Sequence, residues 1–157
     1  MRVYDVVRFL HVLLAIAAVG ANMTYGIWIS RAAREPRALA FALRGVKILD
    51  DRIANPAYVL LFITGAAMVS LGRLPWTTPW LLAALVLYAG VAAVGLAGYT
   101  PTLRRQIAAL DVDGPESPVY RRLAARGMAL GIVLAVLVVL IVFLMVTKPA
   151  LWGQEGA

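Results

Sequence analysis

The chain has 157 residues, 62% of them hydrophobic, a net charge of +7 and no cysteine, with a mean hydropathy of +0.84. Soluble domains hold only about 45–50% apolar residues even when glycine is counted, so this excess, gathered in four long runs, excludes an ordinary soluble domain and implies an integral membrane protein. Disulfides, thiolate metal sites and cysteine redox chemistry are excluded too, and the basic residues lie in the links between apolar runs, as a topology signal and not as a nucleic-acid-binding face.

The first helix is expected over residues 4–30. Val19-Gly20-Ala21 follows an apolar run and would serve as a signal-peptide cleavage site. The run continues from Tyr25 to Ile29, however, so the reading is a retained membrane helix. At about 100° per residue, Tyr4, His11, Ala15, Ala18, Asn22 and Tyr25 fall in one narrow stripe. The other side is Val, Leu, Ile and Ala. Such a stripe of polar and small residues faces protein and not lipid. It carries the chain's single histidine, which lies roughly 10 Å from the helix start at 1.5 Å per residue.

Arg31, Arg34 and Arg37 follow, with Pro36 breaking the pattern. Residues 37–51 read as a short amphipathic helix, with Leu39, Leu43, Val46 and Leu49 near one face and Arg44, Lys47 and Asp51 on the other. It is too polar to span and is expected to lie at the cytoplasmic interface. The second span is expected over residues 55–72, opened by Asn55-Pro56 and stopped at Gly72. A tight turn from Leu74 to Trp80 carries Trp76 and Trp80, which suit a headgroup layer. The third span, residues 80–99, is mostly small residues in its second half, allowing close approach of a neighbour. Pro101 marks its end, and residues 102–122 read as a loop. The fourth span, residues 123–147, opens with Gly127, Gly131 and Ala135 at small-xxx-small spacing and stops at Lys148-Pro149.

These elements make residues 1–157 a single integral membrane domain of the all-α class, a four-helix transmembrane bundle with a short amphipathic cytoplasmic helix. The first link holds Arg31, Arg34, Arg37, Arg44, Lys47 and Arg52, and the third holds Arg104, Arg105, Arg121, Arg122 and Arg126. The opposite side has only Arg2, Arg8, Arg73 and Lys148. Both basic links are therefore expected in the cytoplasm, with both termini outside. The same links would hold anionic lipid headgroups. The glycine and alanine faces of the third and fourth spans exceed what one contact needs, which predicts a homo-oligomer, most simply a dimer.

Two readings of His11 follow from its depth. Thr64 on the second span and Tyr88 on the third lie at comparable depth, so a neutral His11 could hydrogen-bond one of these hydroxyls, as buried polar groups in lipid require. Alternatively His11 is a ligand. Met68 and Met145 lie near the same ends of the second and fourth spans. His with Met is an axial pair for haem iron, and imidazole with thioether suits copper(I). Ala15 and Ala18 would leave space for a flat macrocycle. Asn22 is expected to make an interhelical hydrogen bond, or else to belong to a polar path for a proton or ion. No Ser/His/Asp arrangement, embedded acidic residue or phosphate-binding glycine loop is seen.

Tyr4…Leu10-His11-Val12-Leu13, Asp51…Asn55-Pro56-Ala57 with Thr64-Gly65, Pro79-Trp80, and Leu144-Met145-Val146-Thr147-Lys148-Pro149 carry a resemblance. In their order and spacing the chain resembles a bacterial family of predicted four-helix integral membrane proteins, domain of unknown function 2269. More distantly it is similar to the membrane protoporphyrinogen oxidases of haem synthesis and to copper-resistance membrane proteins. The oxidase likeness implies a haem-binding role for His11. It also implies a lysine four residues after Trp80, where this chain has Ala84. The resulting expectation is a non-catalytic scaffold or accessory subunit of the bacterial inner membrane. The alternative is a membrane protein that binds haem b or copper at His11.

Overall fold

The computed structural model describes residues 2–151, with Pro36 described by its backbone alone. Six α-helices follow in order: α1 (Val3–Ala32), α2 (Pro36–Leu49), α3 (Asn55–Leu71), α4 (Pro79–Ala93), α5 (Thr100–Asp113) and α6 (Pro118–Thr147). No strand occurs among the described residues. The α2–α3 and α4–α5 pairs are continuous, each joined through a widened π-helical segment, Asp50–Ala54 and Val94–Tyr99. The result is four rods long and apolar enough to cross a membrane: Val3–Ala32, Arg37–Leu71, Pro79–Asp113 and Pro118–Thr147.

The two widened segments have one cause. A proline inside a helix removes an N–H and its ring meets the carbonyl four residues earlier. Those carbonyls belong to Arg52 for Pro56 and Ala97 for Pro101, and each lies within a π segment. Widening the turn carries the helix past the proline instead of ending it. The sequence expectation that Pro101 ends the third helix is corrected here. Residues 102–113, expected as loop, are helical, and the connection shrinks to Gly114–Ser117. Gly114 takes the left-handed φ of 79° that this turn needs. Ser117 then caps α6 by accepting from the Tyr120 amide at 3.1 Å.

The amphipathic helix is present, and its apolar face is covered by protein. Leu39, Leu43 and Val46 are buried in a cluster with Tyr25 and Ala32 of α1, Leu103 and Ala109 of α5, and Tyr120 of α6. Helix α2 is thus the basic-end extension of the second rod, packed on α1 and α5. It is not a helix lying alone on lipid. Arg44 pairs with Asp111 of α5 at 2.7 Å. The layer holding the largest fully buried side chains, Leu43, Leu103 and Val46, therefore lies at the basic end.

Toward the far end the rods pair as α1 on α3 and α4 on α6. Large apolar side chains face outward along them, such as Phe9, Ile16 and Met23 on α1 and Val136, Val139 and Phe143 on α6, as a lipid solvent demands. Gly90 and Gly98 let α6 approach, with Leu137 and Leu130 against them. A second buried cluster, Val69, Trp80 and Leu81 with Met145 against it, closes this end. Of the two tryptophans expected in a headgroup layer, Trp76 is exposed and Trp80 is buried. The Lys148 ammonium lies 5.6 Å from the Trp80 ring centroid.

Candidate functional site

The polar residues of the spans gather along the α1–α3 seam at three levels. At the far end, His11 meets Thr64. The Thr64 hydroxyl has one proton and donates it to the Leu60 carbonyl at 2.7 Å. It therefore accepts from His11 Nδ1–H, at 2.8 Å. The imidazole is held across the seam in one tautomer, its ring against Gly65, where an added Cβ would stand 3.3 Å from Cε1. Met68, four residues beyond Thr64, shares its face of α3 and is half-buried. Met145 packs on the Val69–Trp80–Leu81 cluster instead.

This packing bears on the space beside His11. The flat space expected beside Ala15 and Ala18 is closed at Ala18, which is fully buried at 0% exposure. The ring edge rests on the α3 backbone at Gly65. Among the described residues no group of three His, Asp or Glu side chains converges as a metal site.

At the middle level Asn22 Nδ2 donates to the Tyr58 hydroxyl. Tyr88 turns to the Tyr58 backbone, its hydroxyl donating to that carbonyl at 2.6 Å, while its ring stacks on Phe62 with centroids 5.8 Å apart. Tyr88 thus bridges α4 to α3 and does not serve His11. Tyr58 escaped the sequence reading. The signal was a phenol inside an apolar run, one turn after Asn55, which needs a partner for its hydroxyl.

At the basic end the structure corrects the expectation that no acidic residue is embedded. Asp50 is 5% exposed and opens the first π segment. Both its hydrogen bonds fall on Oδ2: Thr100 Oγ donates at 3.1 Å and Asn55 Nδ2 at 3.4 Å. These donors come from two different rods, each beside its π segment. Lys47 is engaged by Asp51. Tyr25 is also buried, and among the described residues its hydroxyl has no hydrogen-bond partner. Asp50 was legible in principle, because it follows Leu39, Leu43 and Val46 on the same helical face.

The surface around this end is cationic. Arg31, Arg34, Arg37, Arg52, Arg104, Arg105, Arg122 and Arg126 are all exposed. None of them is in an ion pair among the described residues, where Arg44, Lys47 and Arg121 hold the acidic partners.

The chain has no significant match among curated proteins or solved structures. Residues 5–149 match the model of a family described as predicted integral membrane protein, DUF2269. With four membrane-capable rods and a match over nearly its whole length, the chain belongs to that family of integral membrane proteins.

Proposed function

We propose that the protein is a non-catalytic scaffold or accessory subunit of the bacterial inner membrane, with its basic end in the cytoplasm and both termini outside. The observation that carries this reading is the His11–Thr64 hydrogen bond, seated on Gly65. It makes the histidine a tie between two spans. The unpaired arginines of the basic end support contact with anionic lipid headgroups there.

Absorbance and metal content of the purified protein test this, after expression with ample haem and copper. The expected result is a stable, colourless, metal-free protein. A Soret band, or stoichiometric copper, that disappears in His11→Ala while the protein stays folded would replace this reading with the ligand one.

We also propose self-association as a dimer through the third rod. Ala89, Ala93 and Ala97 are exposed at helical spacing, and nothing lies within 4 Å of a Cβ built on Gly95. Such a face lets a second backbone approach closely. Mass measurement in nanodiscs should give two copies, and a strict monomer would refute it.

A further inference from the structure

Where α1 ends and α2 turns back along it, the two helices leave a groove of about 780 Å³. Ligand pockets span about 300–1,000 Å³. The floor is one face of α2, formed by Ala38, Ala42 and Gly45 at helical spacing. These side chains are too small to fill it, and nothing lies within 4 Å of a Cβ built on Gly45. Trp28 of α1 and Phe41 and Ile48 of α2, all exposed, flank it.

The groove is graded along its length. At 1.5 Å per residue Trp28 lies about 30 Å from Arg8 on α1, and Ile48 about 35 Å from Leu71 along the second rod. The hydrocarbon layer is about 30 Å thick, and the headgroup layers bring the bilayer to about 40–45 Å. Trp28 and Ile48 therefore stand where hydrocarbon gives way to headgroups, a border that suits the indole. Beyond it the lining turns charged, with Arg31, Arg34 and Glu35. All three are exposed, and none is in an ion pair among the described residues. Two arginines against one glutamate leave the lining with one positive charge.

An apolar end at the hydrocarbon border and a charged end at the phosphate level fit an amphiphile, and the charge selects among amphiphiles. A phospholipid with a phosphodiester and an uncharged headgroup carries one negative charge and neutralises the lining. A zwitterionic lipid leaves that charge uncompensated. A second copy of the same face would bring positive charge against positive charge. Arginine is also the side chain whose planar fork matches phosphate oxygens.

We propose that this groove seats one monoanionic glycerophospholipid, its phosphate on Arg31 and Arg34 and its glycerol and upper acyl segments over Gly45, between Trp28 and Ile48. The proposal rests on the reading that the basic end contacts anionic headgroups, and adds to that diffuse contact one shaped site.

The test titrates the full chain in detergent with phosphatidylglycerol, phosphatidylethanolamine and phosphatidylcholine, counting retained lipids by native mass spectrometry. One phosphatidylglycerol per chain should be retained in preference to the other two. Arg31→Gln with Arg34→Gln should weaken its binding about 30-fold, the effect of two surface arginines. Gly45→Leu should abolish the tight site by filling the floor, although leucine favours a helix more than glycine does. Arg104→Gln with Arg105→Gln, on α5 and outside the lining, should leave the tight site intact. Glu35→Gln should strengthen binding, because the carboxylate opposes the phosphate; weakening would give the groove to an amine-bearing headgroup and overturn the assignment. Retained phosphatidylglycerol that Gly45→Leu and the Arg31–Arg34 pair disturb no more than the Arg104–Arg105 pair overturns the site and leaves the diffuse contact standing. No preference for phosphatidylglycerol in the wild type overturns both. Displacement by glycerophosphoglycerol as readily as by the whole lipid would make this a soluble phosphate site and overturn the lipid. A changed copy number in Gly45→Leu would assign the groove to a second chain and overturn it too. If Gly45→Leu fails to fold, the exposed Arg31–Arg34 pair decides.

Discussion

The His11 imidazole lies on the side of α1 that meets α3, where Thr64 is its acceptor. Interhelical polar contacts of this kind average about 0.6 kcal/mol and reach about 1.7 at most, because the separated helices find other partners. A double-mutant cycle of His11→Ala and Thr64→Val, read by reversible unfolding in detergent, should therefore give a coupling of about 0.6 kcal/mol. Coupling indistinguishable from zero would mean that the tie contributes nothing. At this scale the sequence was legible where angle and depth suffice. Counting at 100° per residue puts Tyr4, His11, Ala15, Ala18, Asn22 and Tyr25 on one stripe, and all six are half-buried or buried in α1. Counting depth brings Thr64 and Tyr88 level with His11. It does not say which hydroxyl turns toward the ring, because that depends on what else competes. Tyr88 is drawn to the Tyr58 carbonyl, and Tyr58 was not in the count.

The two proline-linked π segments explain why some elements were misread. A rule that stops a helix at proline places the end of the third span at Pro101, and the residues beyond it then look like loop. Thr102, Leu103, Gln106 and Ala109 are nonetheless buried at helical spacing, a pattern that the presumed stop concealed. Asp50 was overlooked for a related reason: a helix assigned to the interface is not expected to carry its inner face into the bundle. The mechanism makes a specific demand. Gly95 lies in the second π segment with open space about it. Deleting it should return that segment to α-helical pairing and set the Pro101 ring against the Ala97 carbonyl, at about 3 kcal/mol or more. Thermal unfolding followed by circular dichroism should show that loss for the deletion alone. It should show most of it recovered when Pro101→Ala is added. No recovery in the double variant would mean that the widening has another cause.

For the whole molecule, charge and burial are concentrated at the same end. The exposed arginines surround the layer of Leu43, Leu103 and Val46, so the basic end has both the better-packed core and the topology signal. If the positive-inside rule governs insertion, reporters fused at either terminus should be active only outside. Reporters in the link at residues 33–35 or 114–117 should be active only in the cytoplasm; a cytoplasmic C-terminus would invert the orientation. Four apolar runs made the class of object readable from composition, while the rods' true lengths were hidden in the polar stretches that continue them. The seating of Ala18 has a consequence at this largest scale. Between Asn22 and His11 the helix advances about 16 Å at 1.5 Å per residue, and within that interval Ala18 is a methyl group with no exposed surface. A membrane holds its voltage only where no file of hydrogen-bonding groups connects its two faces. This seam has such groups at both ends, His11 with Thr64 and Asn22 with Tyr58, and on α1 between them a buried methyl group that neither donates nor accepts.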